Sequence, residues 1–212
     1  PLPKDNKAAI DEMKKILSQL ADKPNKRLSD SLALLGTASA LYDSATGWPK
    51  LRAAIAEMKK GKAGKFLELA DEYTGRAKDG NYTTNEFDSG AIIDCLDFAD
   101  NRSVKEMKAD AQVFAEQAPL FGPYLAYGGL VCQYLETPQA TEVAPMKTAN
   151  PIVIIGTTGD PATPYEWAQG LNKILTNSVL ISLTGNGHTG QGQGNKCVDG
   201  QVDDFYLENK TP

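Results

Sequence analysis

Two side chains in this 212-residue sequence are placed where chemistry could be done. His188 is the only histidine, and it follows the apolar run Val179-Leu180-Ile181-Ser182-Leu183 in a glycine-rich stretch, Gly185-Asn186-Gly187-His188-Thr189-Gly190. Asp160 follows an earlier apolar run, Pro151-Ile152-Val153-Ile154-Ile155, within Gly156-Thr157-Thr158-Gly159-Asp160-Pro161-Ala162-Thr163-Pro164. An acid after one buried strand and an imidazole after the next form the Asp-then-His half of a hydrolase triad whose chain order is Ser, Asp, His. In that chemistry His188 is general base and acid, and Asp160 fixes its tautomer and stabilises the imidazolium. Each residue also has a plainer reading, Asp160 as an Asx-turn residue shaping the loop before Pro161 and His188 as a surface-loop histidine. The agreement of two consecutive strand ends favours the functional one, because side chains that act in open parallel sheets collect at the carboxyl ends of strands.

The serine half is missing. No Gly-x-Ser-x-Gly occurs, and Ser39 and Ser89 fall in helical patterns with no preceding strand, so neither can be a nucleophile elbow. Both are read as solvent-facing or capping residues. Gly185-x-Gly187-x-x-Gly190 formally matches a dinucleotide fingerprint, but Gln191-Gly192-Gln193-Gly194-Asn195 follows where that motif needs a helix already under way. No cofactor is expected. The acidic residues Asp71, Glu72, Asp79, Asp94 and Asp97 could hold a substrate ammonium through charge-assisted hydrogen bonds. A solvated helix face is the simpler reading of any one of them.

The elements that must position Asp160 and His188 can be read from periodicity. Up to about residue 147 the chain is rich in Ala, Leu, Lys and Glu without β-branched runs, which favours helices. Helical spacing predicts helices over roughly 5–21, 28–43, 63–75, 88–99 and 103–117, another carrying Trp48, Leu51, Ile55 and Met58, and a resumption over 124–135. Residues 137–151 read as a Pro- and Thr-rich connector. Beyond it, Ile152 to Ile155 and Val179 to Leu183 are expected to be strands covered on both faces in a parallel sheet. Between them Thr163-Pro164-Tyr165-Glu166 supplies an N-cap, a first-turn proline and a capping-box glutamate. Asp160 would thus sit near a helix N-terminus, which favours a carboxylate. Val202, Phe205, Tyr206 and Leu207 suggest a closing helix. Two strands do not make a stable sheet alone, so further neighbours are expected upstream, in another chain, or from the helical region packed on the sheet edge.

Composition excludes several classes. The chain is 41% hydrophobic and 23% charged, with a formal net charge of −5 and no basic track, so nucleic acid is not expected as a partner. No apolar stretch approaches the roughly 18 residues of a membrane span. The opening Pro1-Leu2-Pro3-Lys4-Asp5 has neither an initiator Met nor a signal-peptide core, as expected of the middle of a longer product. Cys95, Cys132 and Cys197 have no Cys-x-x-Cys spacing, and with one histidine they offer too few ligands for zinc. One disulfide with one cysteine left over, or three free thiols, are both compatible with the count.

The stretch from Gly156-Thr157-Thr158-Gly159-Asp160-Pro161-Ala162-Thr163-Pro164 through Gly187-His188 to Cys197 resembles the C-terminal part of the secreted tripeptidyl-aminopeptidase-like (TAP-like) α/β-hydrolases of actinobacteria. Upstream, Ala40-Leu41-Tyr42, Trp48-Pro49, Leu69-Ala70-Asp71, Asp79-Gly80 and Ala91-Ile92 with Cys95 and Asp97 resemble the helical cap those enzymes insert before their last strands. The resemblance implies an α/β class, an incomplete α/β-hydrolase fold: a helical cap or lid over residues 1–147, then a C-terminal strand-helix-strand-helix unit over 148–212. It implies Asp160 and His188 as triad acid and base, and cleavage of short peptides from a free amino terminus. It further implies a secreted or cell-envelope location, a Cys95 to Cys132 disulfide in the cap, and an upstream partner for Cys197. The core strands bearing nucleophile and oxyanion hole are not in this sequence, so the implied partners are a peptide substrate and the missing N-terminal hydrolase half of the same precursor. Without a nucleophile the chain alone is expected to be inactive. The competing readings are a non-catalytic peptide-binding or regulatory module that kept the cap, and a hydrolase of esters or other amides.

Overall fold

A computed structural model describes residues 5–98, 100–135 and 145–212. The predicted connector lies partly outside these residues, as do the first four. The described residues divide into two compact units, one within Pro1–Ser39 and Lys50–Glu142, the other within Ala40–Pro49 and Val143–Pro212.

The first unit is helical, for the reasons periodicity supplies. α1 (Asn6–Asp22) starts at Asp5, whose side chain accepts the Ala8 N–H at 2.8 Å, and its face Met13, Ile16, Leu17 and Leu20 is buried. α2 (Asp30–Leu41), α3 (Gly47–Met58) and α4 (Gly64–Thr74) add Ala33, Leu34, Ala54, Ile55, Phe66 and Leu69 to the core of the unit. Trp48 shares the spacing of α3's apolar face, yet it sits in the first turn and stays exposed. α5 (Glu86–Asp97) and α6 (Val104–Gln117) follow, the latter opened by a Ser103–Glu106 capping box. The helix predicted over 124–135 is instead a short α7 (Gly122–Leu125) and a 3-10 turn over Gly128–Tyr134. The glycine pair Gly128-Gly129 accounts for the break. Cys95 of α5 is bonded to Cys132 of that turn. Beside it Arg102 ties the chain together, donating to Asp100 from Nε at 2.9 Å and to Asp110 from Nη1 at 2.6 Å. Those contacts hold the Asp100 carboxyl below its ordinary value.

The second unit is a strand, helix, strand, helix sequence. β1 (Ile152–Gly159) and β2 (Ser178–Asn186) run parallel in the register Ile152 to Ser178 through Thr157 to Leu183, joined by α8 (Tyr165–Ile174). Side chains alternate in direction along a strand, so the helices take opposite faces. Val153, Ile155, Ile181 and Leu183 pack with Val198 and Val202 of α9 (Lys196–Glu208). Gly156, in the other phase, faces the Tyr165 ring and Ala168 of α8, and the Tyr165 hydroxyl lies 2.6 Å from Ser182 Oγ.

Two expectations need correction here. Covering of both strand faces is incomplete: Ile152 is exposed and most of β2 is half-buried. Two short helices do not span both faces of even a two-stranded sheet, and among the described residues no third strand pairs with it. The capping box at Thr163 also does not form, because α8 begins after Pro164 with no side-chain cap and the Thr163 hydroxyl is engaged elsewhere. The glycine-rich stretch before α9 ends in its cap, with Asn195 Oδ1 accepting the Cys197 and Val198 N–H groups at 3.0 and 3.2 Å. No helix among the described residues is long and apolar enough to cross a membrane.

Candidate functional site

The site lies at the carboxyl ends of β1 and β2, within the second unit. Past Thr157 the strand register shifts, and Gly159 comes opposite Asn186. A side chain at 159 would stand 2.7 Å from the Gly185 carbonyl oxygen, so glycine is what lets the two loops close on each other. The closure brings Asp160 and His188 together: His188 Nδ1 lies 3.0 Å from Asp160 Oδ2 and 3.1 Å from Oδ1.

Asp160 is the more deeply set partner. Its side chain is 3% exposed against 28% for His188. Burial by itself pushes its carboxyl pKa up, but the hydrogen bonds outweigh it and bring the value down to about 2. Oδ1 accepts the Thr163 and Ala162 N–H groups at 2.9 and 2.8 Å. Oδ2 accepts the Thr163 hydroxyl at 2.8 Å and the Thr189 N–H at 3.2 Å. The group is therefore a carboxylate at neutral pH and can only accept, which makes Nδ1 of His188 the donor. In the neutral imidazole this leaves the lone pair on Nε2, the form a general base needs. Thr163 Oγ1, whose proton is given to Asp160, also lies 3.3 Å from Nδ1. Thr163 thus links acid and imidazole, a role that its reading as a helix cap does not contain. The signal was its place three residues after Asp160, the spacing of an Asx turn.

The remaining candidates are elsewhere. Ser39 lies in α2, and Ser89, in α5, donates to the Glu86 carbonyl at 3.2 Å. Asp71 pairs with Arg27, Glu72 with Lys50 at 3.0 Å, and Asp79 accepts from the backbone and side chain of Asn81. Asp94 and Asp97 are on the exposed side of α5. These acids lie in the helical unit, with local partners for the first three. Among the described residues no cluster of three or more His, Cys, Asp or Glu side chains could hold a metal ion. Cys197 is a free, exposed thiol. Thr157, at the end of β1, has its hydroxyl buried without a hydrogen bond among the described residues.

Comparison with known proteins agrees with this architecture. Residues 118–212 match the family model described as TAP-like protein. Within this segment the two strands with their helices form a partial α/β-hydrolase fold, similar to that of the TAP-like family. Over its whole length the chain is 31% identical to carboxylesterase B of Mycobacterium tuberculosis and 28% identical to the serine protease Hip1 of the same organism. The chain spans 42% of the first relative's length and 44% of the second's. Both are hydrolases by name, and the chain is similar to a hydrolase segment.

Proposed function

We propose that this chain is the cap and C-terminal segment of a serine exopeptidase, supplying the acid and base of a triad whose serine resides in an upstream segment. The observation that carries the reading is the hydrogen bond between the His188 imidazole and the buried Asp160 carboxyl, delivered by adjacent parallel strands. In the complete polypeptide His188 Nε2 takes the serine proton as Oγ attacks the scissile carbonyl, and the new imidazolium is stabilised by Asp160. The same proton passes to the leaving amine as the C–N bond breaks. A water then repeats the attack on the acyl-serine, with His188 again base and then acid, releasing the carboxylate product. Cleavage at the free amino end of a short peptide is the specificity the family resemblance supports.

The greater length of the relatives supports a missing N-terminal half, and the Cys95–Cys132 bond supports a secreted or cell-envelope location, where disulfides persist. Likeness to a carboxylesterase favours a second substrate class, simple esters, processed by the same residues.

The test is to join the chain to the upstream segment of a relative that carries a Gly-x-Ser-x-Gly strand-turn-helix, and to assay it on aminoacyl and tripeptidyl anilides and on short-chain esters. The 212 residues alone are expected to turn over neither, the joined polypeptide to cleave the anilides, and His188→Ala to abolish the activity. Activity that survives His188→Ala would refute the assignment, and cleavage of esters alone would give the substrate class to the second reading.

A further inference from the structure

We propose that Tyr42 is a positioning residue for His188, holding it through both its backbone and its ring; the proposal rests on the reading of His188 as the base. Tyr42 is far from His188 in sequence and stands just past the end of α2, yet the segment Ala40–Pro49 is part of the α/β unit. Its carbonyl oxygen accepts the His188 N–H at 2.8 Å. Carbonyls at a helix end lack partners within the helix, so this acceptor is available to the loop. Its ring lies 4.8 Å, centroid to centroid, from the imidazole, tilted by 49°.

The approach depends on the residue before the histidine. Gly187 has φ +121, a conformation that L side chains rarely adopt, and a Cβ there would sit 3.0 Å from the Tyr42 carbonyl oxygen. The segment bearing Tyr42 is itself fixed, since Asp43 Oδ1 accepts the Ala45 and Thr46 N–H groups at 2.7 and 3.2 Å. The next residue, Thr189, gives its N–H to Asp160. Main-chain hydrogen bonds on both sides thus fix the His188 loop, one to the acid and one to Tyr42.

The ring contributes what a backbone contact cannot. A centroid distance inside roughly 6 Å allows attraction between a cation and an aromatic face. His188 is neutral as base and becomes an imidazolium only as the proton moves, so the contact strengthens toward the transition state. Tyr42 makes no contact with reacting atoms in this scheme; it acts through His188, on the rate of the proton-transfer step rather than on substrate binding.

A single histidine makes the test direct. In the 212-residue chain labelled at histidine, the carbon-bound imidazole protons are the only ones of their kind, and nuclear Overhauser contacts from the Tyr42 ring protons to them are expected. Tyr42→Phe keeps the ring and is expected to keep the ring-current displacement of these signals; Tyr42→Leu is expected to lose it. Absence of the Overhauser contacts in the unaltered chain, or unchanged imidazole signals in Tyr42→Leu, overturns the proposal, and the first needs no variant to fold. In the joined polypeptide Tyr42→Leu is expected to lower kcat by about 10- to 100-fold with KM little changed, and Tyr42→Phe to restore most of the loss. A Tyr42→Leu polypeptide with full kcat, or with KM alone altered, overturns it as well. A joined polypeptide whose activity is indifferent to His188→Ala while the Overhauser contacts are present defeats the catalytic reading and leaves the structural contact standing.

Discussion

At the scale of single residues, Asp160 shows how hydrogen bonds can reverse the effect of burial. Its side chain is almost inaccessible, which alone would favour the neutral acid, yet three backbone amides, a hydroxyl and an imidazole surround it and it is held ionised with a pKa of about 2. The sign of the linkage follows. A carboxyl whose folded pKa lies below the ordinary 3.8 contributes stability that is present above that value and is lost as pH falls toward about 2. Asp160→Asn is therefore expected to destabilise the α/β unit at neutral pH, by an amount on the order of 2 kcal/mol. The gap between the two proteins should close on acidification from pH 5 to pH 2. Urea unfolding followed by Trp167 fluorescence across that range measures it, and a gap independent of pH would mean the carboxylate is not held as described.

Among the elements, the Cys95–Cys132 bond is the one covalent constraint seen among the described residues, closing a separation of 37 residues between α5 and the 3-10 turn. Bonds closing loops of this size stabilise small domains by about 2–4 kcal/mol, chiefly by restricting the unfolded chain. One thiol, Cys197, is expected to react with an aromatic disulfide reagent in the native protein, and three after denaturation in reductant. Reduction under native conditions is expected to lower the melting temperature of the helical unit. Two reactive thiols beyond Cys197 in the native state would contradict the pairing. The cysteine count left one disulfide and three thiols equally open, because periodicity places each cysteine on an element without saying which elements meet. The family resemblance chose the pair that the structure contains.

For the molecule as a whole, the salient fact is what the α/β unit leaves uncovered. Ile152, Trp167, Leu171, Tyr206 and Leu207 are exposed on a two-stranded sheet and its helices. Parallel sheets are ordinarily buried on both faces, so this surface would suit the strands and helices of the upstream half proposed above. Joining that half is expected to shift Trp167 emission to shorter wavelength and to reduce binding of a hydrophobic dye. Since Trp48 is the other tryptophan, the measurement belongs in a Trp48→Phe background. Emission unchanged by the added segment would show that Trp167 faces solvent in the complete polypeptide too.

Sequence by itself determined the elements of the α/β unit and that Asp160 and His188 follow its two strands in turn. Two apolar β-branched runs, each leading into glycines and polar residues, can be little else, and local propensity decides such runs. It misjudged the segment over 124–135, where glycines interrupt the helix, and the hydroxyl of Thr163, for which a helix end and a carboxylate compete. Only the tertiary structure decided that Gly159 brings the two loops to hydrogen-bonding distance, that Thr163 serves Asp160, and that Tyr42 covers the imidazole. These are contacts between residues separated by whole elements. No local pattern encodes them, because they follow from how the chain closes on itself and not from the propensity of any one segment.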